Sequence, residues 1–85
     1  MARVVLRLFA SAREAAGTAR DEFDAPDVAG VLDAARARYG DGWAEIAATA
    51  RVWVNGDEPA RGGATVLADG DEVAVLPPVS GGAIA

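Results

Sequence analysis

One stretch of this chain has the length and periodicity of a substantial helix, and the rest must be arranged to cover its apolar face. After Asp27, apolar residues recur at Val28, Val31, Leu32, Ala35 and Tyr39, spacings that place them on one helical face, with Asp27 as N-cap and Gly40 as the stop. The spacing predicts a helix over Val28 to Tyr39. Gly30 lies in its first turn and weakens it by up to ~1 kcal/mol relative to Ala, a cost that core packing is expected to offset. The flanking sequence supplies strands as the covering layer. From Arg3 to Phe9 the pattern alternates, with Val4, Leu6 and Leu8 on one face and Arg3, Val5, Arg7 and Phe9 on the other. Ala15-Ala16-Gly17-Thr18 reads as a turn, and Ala19 to Phe23 returns as a short second strand with Ala19, Asp21 and Phe23 on one side.

Beyond the helix, Trp43, Ile46 and Ala47 fit one further short amphipathic helix. Arg51-Val52-Trp53-Val54 is a third strand closed by the turn-prone Asn55-Gly56-Asp57. Glu58 to Ala64, with Pro59, Gly62 and Gly63, reads as loop, and Thr65-Val66-Leu67 as a brief edge strand. After the Asp69-Gly70-Asp71 turn, Glu72 to Leu76 is the last strand, with Val73 and Val75 inward. The order strand, strand, helix, strand, strand implies an α+β fold in which a small mixed sheet wraps one main helix, in a single domain over residues 1–76. A domain of this size buries only somewhat more than ~60% of its unfolded surface, which leaves room for a scaffold and not for a deep pocket.

The side-chain inventory excludes most chemistry. The chain has no Cys and no His, which removes zinc sites, thiol nucleophiles and the usual general base, so neither catalysis nor a bound metal or cofactor is expected. Its basic residues are all Arg, and without Lys it offers no side-chain amine to an isopeptide bond or a Schiff base. A net charge of -5 argues against nucleic acid and suits a basic protein partner. No apolar run approaches the ~20 residues that span a bilayer, and the N-terminus reads as a strand, so a cytoplasmic protein without membrane attachment is expected.

The chemistry points instead to the end of the chain. Pro77-Pro78 cannot donate ladder hydrogen bonds, so the pair stops the sheet and projects an extended, semi-rigid stem. The six residues from Pro77 to Gly82 span at most about 20 Å, enough to thread a partner's tunnel. Gly81 and Gly82, lacking side chains, suit its narrowest part. A frayed terminus rich in small residues is the plain alternative.

The segment Leu8-Phe9-Ala10-Ser11-Ala12-Arg13-Glu14-Ala15-Ala16-Gly17, the strand and turn Val52-Trp53-Val54-Asn55-Gly56, the turn Asp69-Gly70-Asp71-Glu72-Val73 and the ending Pro77-Pro78-Val79-Ser80-Gly81-Gly82 together resemble the MoaD family, the small subunits of molybdopterin synthase. The related thiamin sulfur carriers share the Gly-Gly end and are less similar around Pro77-Pro78. The resemblance implies a ubiquitin-like β-grasp fold. It also implies a cycle in which an E1-like adenylyltransferase uses ATP to activate the carboxylate of Gly82. Sulfur from a persulfide donor then makes a thiocarboxylate, which the large subunit of molybdopterin synthase uses to build the dithiolene. The protein is then a cosubstrate without catalytic residues of its own, in keeping with the missing Cys, His and Lys. Two alternatives stand beside this reading: a ubiquitin-like modifier conjugated through Gly82, and an interaction module with no chemistry at its tail. A carrier serving another thiolated metabolite is a variant of the first.

The sequence departs from the family after Gly82, which is in peptide linkage to Ala83, and an amide cannot be adenylated. A peptidase is therefore expected to remove Ala83-Ile84-Ala85; otherwise this homologue has lost sulfur transfer. For docking, the stem residues Pro77, Pro78, Val79 and Ser80 are joined by Phe9 and Leu76, large apolar groups on the polar side of their strands. Either the two form an exposed patch beside the tail, a typical partner surface, or Phe9 folds over the edge of the core. Arg13, in the family's Ala-Arg-Glu motif, either meets a partner carboxylate or is solvated or paired internally. Asp69, Asp71 and Glu72 read as turn chemistry and not as a metal site.

Overall fold

The computed structural model describes residues 1–78. The chain runs β1 (Ala2–Leu8), α1 (Ala10–Ala16), β2 (Arg20–Ala25), α2 (Val28–Tyr39), α3 (Asp41–Ala48), β3 (Arg51–Val54), a 3-10 turn (Gly62–Ala64) and β4 (Glu72–Leu76). The four strands form one sheet in the order β2-β1-β4-β3. β1 and β4 are the parallel central pair, and β2 and β3 lie antiparallel on the outside. This is the expected α+β, ubiquitin-like arrangement. A parallel pairing of first and last strands needs a long crossover, and the helices supply it.

The alternation of β1 decides which face is core. Val4, Leu6 and Leu8 are fully buried and join Phe23 and Ala25 of β2, Val73 and Val75 of β4, and Val28, Val31 and Ala35 of α2. Trp43 of α3 and Ala12 of α1 close the cluster. Asp27 caps α2 as expected, its carboxylate accepting from the Gly30 N–H at 2.8 Å.

Four local expectations change. The segment read as leading from a strand through Phe9 to a turn at Ala15 contains α1, because Ala10 to Ala16 consists largely of strong helix formers and Ala12 finds a buried site. Phe9 is accordingly the N-cap and not part of β1. The chain enters this helix through a left-handed step at Ala10, φ 50°, a conformation that costs a residue with a Cβ about 1 kcal/mol or more. Thr65-Val66-Leu67 does not form a strand. It makes a single antiparallel bridge, Val66 to Asp27, with Val28 N–H donating to Thr65 O and Leu67 N–H to Pro26 O.

The fourth change concerns Gly30, which is more than a tolerated weakness. A Cβ there would lie 3.0 Å from Pro26 Cδ, 3.1 Å from Asp27 Oδ1 and 3.3 Å from Ala25 Cβ. Any Cβ there would be tighter than an ordinary contact, so its neighbours would have to give by a few tenths of an ångström where the first turn of α2 meets the end of β2.

Candidate functional site

The predicted tail springs from the middle of the sheet. β4 ends between the last residues of β1 and the first of β3, with Leu76 paired to Arg51 and Phe9 N–H donating to Val75 O at 3.3 Å. Pro77 is buried and Pro78 is exposed. Val79, Ser80, Gly81 and Gly82, and the extension Ala83 to Ala85, lie outside the described residues.

Around this root the sheet face away from the helices divides into two halves. Over β2 and the start of β1 it is ionic: Arg3 pairs with Glu22 at 3.3 Å and Asp24 at 3.1 Å, and Arg20 with Glu22 at 3.2 Å. Such exposed pairs contribute little to stability and mainly keep that half wetted. Over β4 and β3 the face is largely apolar, carrying Ala74, Trp53 and Leu76, all partly exposed and none packed against the core, with the exposed Arg51 beside Leu76. Arg7 and Glu72, paired at 3.3 Å, divide the halves.

Phe9 belongs to the apolar half. Its extended backbone continues the alternation of β1, and one more step of the parallel register after Leu8↔Val75 brings it beside Leu76. It is 40% exposed and lies outside the buried core, which favours the docking alternative over one in which it folds across the core edge. Sequence reasoning missed Trp53, which pairs with Ala74 and is half-buried on this same face. The signal was present, since Trp53 alternates with Val52 and Val54, which pack on the core.

Arg13 is exposed in the last turn of α1 and has no ion-pair partner among the described residues. The acidic residues of the 69–72 turn act as turn chemistry. Asp69 accepts from Arg3 N–H at 2.8 Å, and Asp71 accepts from Ala68 N–H at 2.8 Å and from the Asn55 amide at 3.0 Å. The Ala68 N–H first, and then the Asn55 amide, hold the Asp71 carboxyl below its ordinary range. Asn55 also accepts from Glu72 N–H at 2.9 Å, locking its own turn to this one. Two of the sequence's most recognisable motifs are thus one structural clasp, near the start of β4 and away from the tail.

Among the described residues the arrangement offers a surface, with no set of groups placed to move protons or attack a substrate. Among the described residues no cluster of acidic side chains could hold a metal ion, and no helix is long and apolar enough to cross a membrane.

Comparison with known proteins bears on what such a surface serves. The model of the ThiS family matches residues 6–82. No curated protein matches the chain. Among solved structures, small archaeal modifier protein 1 of Methanosarcina acetivorans is 32% identical and superposes with a TM-score of 0.85, over 95% of this chain and 97% of that one. A candidate molybdopterin converting factor subunit 1 of Pyrococcus furiosus is 27% identical with a TM-score of 0.80, over 93% and 100%. The small archaeal modifier protein 1 of Haloferax volcanii is 31% identical with a TM-score of 0.76, over 93% and 98%.

Proposed function

This chain belongs to the ThiS family, and from that premise we propose that it is a sulfur carrier acting through Gly82 in the synthesis of the molybdopterin dithiolene. The observation that carries the reading is where the family match stops. It runs through Gly82 and leaves out Ala83, Ile84 and Ala85, which supports Gly82 as the working terminus once a peptidase has freed its carboxylate. The likeness to the candidate molybdopterin converting factor subunit of Pyrococcus furiosus supports the choice of pathway.

The proposed chemistry follows from what a carboxylate lacks. It is a poor electrophile, so an E1-like partner joins it to the α-phosphate of ATP and releases pyrophosphate. The terminal sulfur of a persulfide displaces AMP, and a thiol then cleaves the resulting acyl disulfide, leaving a thiocarboxylate on Gly82 and a disulfide on the donor. The apolar half of the open face, with Phe9, Trp53 and Leu76 around the tail root, is the proposed seat for the adenylating enzyme and the large synthase subunit in turn. Aromatic anchors with a charged rim suit that role.

A second reading is a protein modifier joined through Gly82 to amines of other proteins, and the two archaeal modifier structures favour it. The same reagents separate the readings. A chain ending at Gly82 is incubated with the E1-like enzyme, ATP and a sulfur donor, and its intact mass is measured. Exchange of one oxygen for one sulfur supports the carrier, and isopeptide adducts recovered from cells support the modifier. Cofactor synthesis that survives Gly82→Ala in cells overturns the carrier reading.

A further inference from the structure

The outer edge of β2 is an exposed strand edge, yet the outward backbone groups of Arg20 and Glu22 are occupied. On β1, the N–H groups of Val5 and Phe9 point toward β4, and Leu8 N–H donates to Ala19 O. Even-numbered residues of β1 therefore face β2, and across the antiparallel register their partners Ala25, Phe23 and Asp21 face inward. Arg20, Glu22 and Asp24 are left turned to the outside. The Thr18 hydroxyl occupies both groups of Arg20, accepting from its N–H at 3.3 Å and donating to its carbonyl at 2.9 Å. Glu22 N–H donates to Asp21 Oδ1 at 2.8 Å, and Glu22 O accepts from Arg38 Nη1 at 3.3 Å. Beyond Ala25, Pro26 has no N–H and its carbonyl accepts from Leu67 N–H at 3.0 Å. Among the described residues only Asp24 keeps an unpartnered outward pair.

We infer that Thr18, Asp21 and Arg38 close the β2 edge against strand pairing with a second copy of this chain. An open edge here would be suited to that partner. Antiparallel self-pairing centred on Glu22 sets Arg20 of each copy opposite Asp24 of the other, giving two favourable cross-strand ion pairs against one unfavourable Glu22 pair. Side chains that occupy the ladder groups block this without altering the charge pattern. The guards are themselves fixed by the fold: Arg38 lies 4.1 Å over the Phe23 ring and pairs with Asp21 Oδ1 at 3.0 Å, and Asp21 accepts from Tyr39 OH at 2.6 Å. With the β2 edge closed, the outer edge of β3, the open sheet face and the tail remain for a partner to engage.

The test uses the full chain. In the wild type the Glu22 amide is expected to exchange with solvent about tenfold or more slowly than the Asp24 amide, at all protein concentrations. The double variant Thr18→Val, Arg38→Met removes the hydroxyl and the guanidinium while keeping the size and apolar stem of each side chain. It is expected to sediment with a mass that rises from micromolar to millimolar concentration, while the Asp24 amide gains protection. Thr18→Val alone, which disturbs no ion pair, is expected to speed exchange of the Arg20 amide and so keeps the test open should the double variant fail to fold. Asp24 protection that rises with concentration in the wild type overturns the inference. So does a folded double variant whose mass and edge exchange do not change.

Discussion

Replacing Gly30 with Ala is expected to destabilise this protein, while the same change at Gly42 is expected to stabilise it, although both glycines lie near the start of a helix. Helix propensity alone favours Ala at either site by up to about 1 kcal/mol. At Gly42 nothing lies within 4 Å of the added Cβ, so the gain survives, together with the lower entropy of the unfolded chain. At Gly30 the Cβ meets Pro26 Cδ at 3.0 Å and Ala25 Cβ at 3.3 Å, and overpacking of this kind costs about 1–3 kcal/mol. The Cβ also presses on Asp27 Oδ1 at 3.1 Å, the atom that caps α2, and a lost cap costs about 1 kcal/mol more. The net expectation is a loss of about 1–3 kcal/mol at Gly30. For a domain of this size each kcal/mol moves Tm by about 4–8 °C, so thermal unfolding followed by circular dichroism should separate the variants in sign. If Gly30→Ala unfolds at or above the wild-type temperature, the close approach of α2 to β2 is wrong, and with it the argument that glycine is favoured there.

Phe9→Glu should leave Tm within a few degrees of wild type, since the ring is 40% exposed and off the core, while weakening binding to an E1-like partner by tenfold or more, as a buried aromatic anchor would; titration calorimetry reads both partners directly, and a collapse in Tm would return Phe9 to the core. Tyr39 is the chain's one tyrosine, so its phenolate absorbance can be followed alone. Burial first, and the bond to Asp21 second, raise its pKa above the ordinary 10.0. The stability it contributes is therefore present below pH 10 and lost as pH rises through the folded value, and Tyr39→Phe should cost about 1–2 kcal/mol at neutral pH. A phenolate signal at the ordinary value would refute this. Asp71 has a lowered pKa, so its contribution is present above the ordinary carboxylate value of 3.8 and fades as pH falls through the folded one. Asp71→Asn should therefore unfold at lower temperature than wild type near neutrality, with the gap narrowing in acid; a gap that stays constant with pH would show that charge at this clasp is irrelevant.

Much of the site could be read before folding was considered, and what could not has a common cause. The alternation of β1 separated Leu8 from Phe9, and the same period in β3 separated Val52 from Trp53, although only Phe9 was read as a docking residue. Trp53 joins the site because β3 lies next to β4, so that Ala74 faces it. That adjacency is a long-range pairing, and no local pattern encodes it. The clasp between Asn55 and Asp71 has the same character: each residue reads as ordinary turn chemistry alone, and only the register of β3 on β4 joins them.

The sequence by itself determined the strands Arg51–Val54 and Glu72–Leu76 and the helix Val28–Tyr39, because period, caps and turn residues act over a few positions and all agree there. It also determined part of the chemical repertoire, since without Cys, His or Lys the chain offers no thiol, imidazole or side-chain amine. Tertiary structure decided the rest. It turned the Ala10–Ala16 segment into a helix by giving Ala12 a buried site, and it reduced Thr65–Leu67 to a single bridge. Gly30 came to sit at a close contact once the first turn of α2 closed on the end of β2, and Thr18, Asp21 and Arg38 met along one strand edge. In each case the deciding term is contact between residues far apart in the chain, or packing within a turn that only the folded core holds closed.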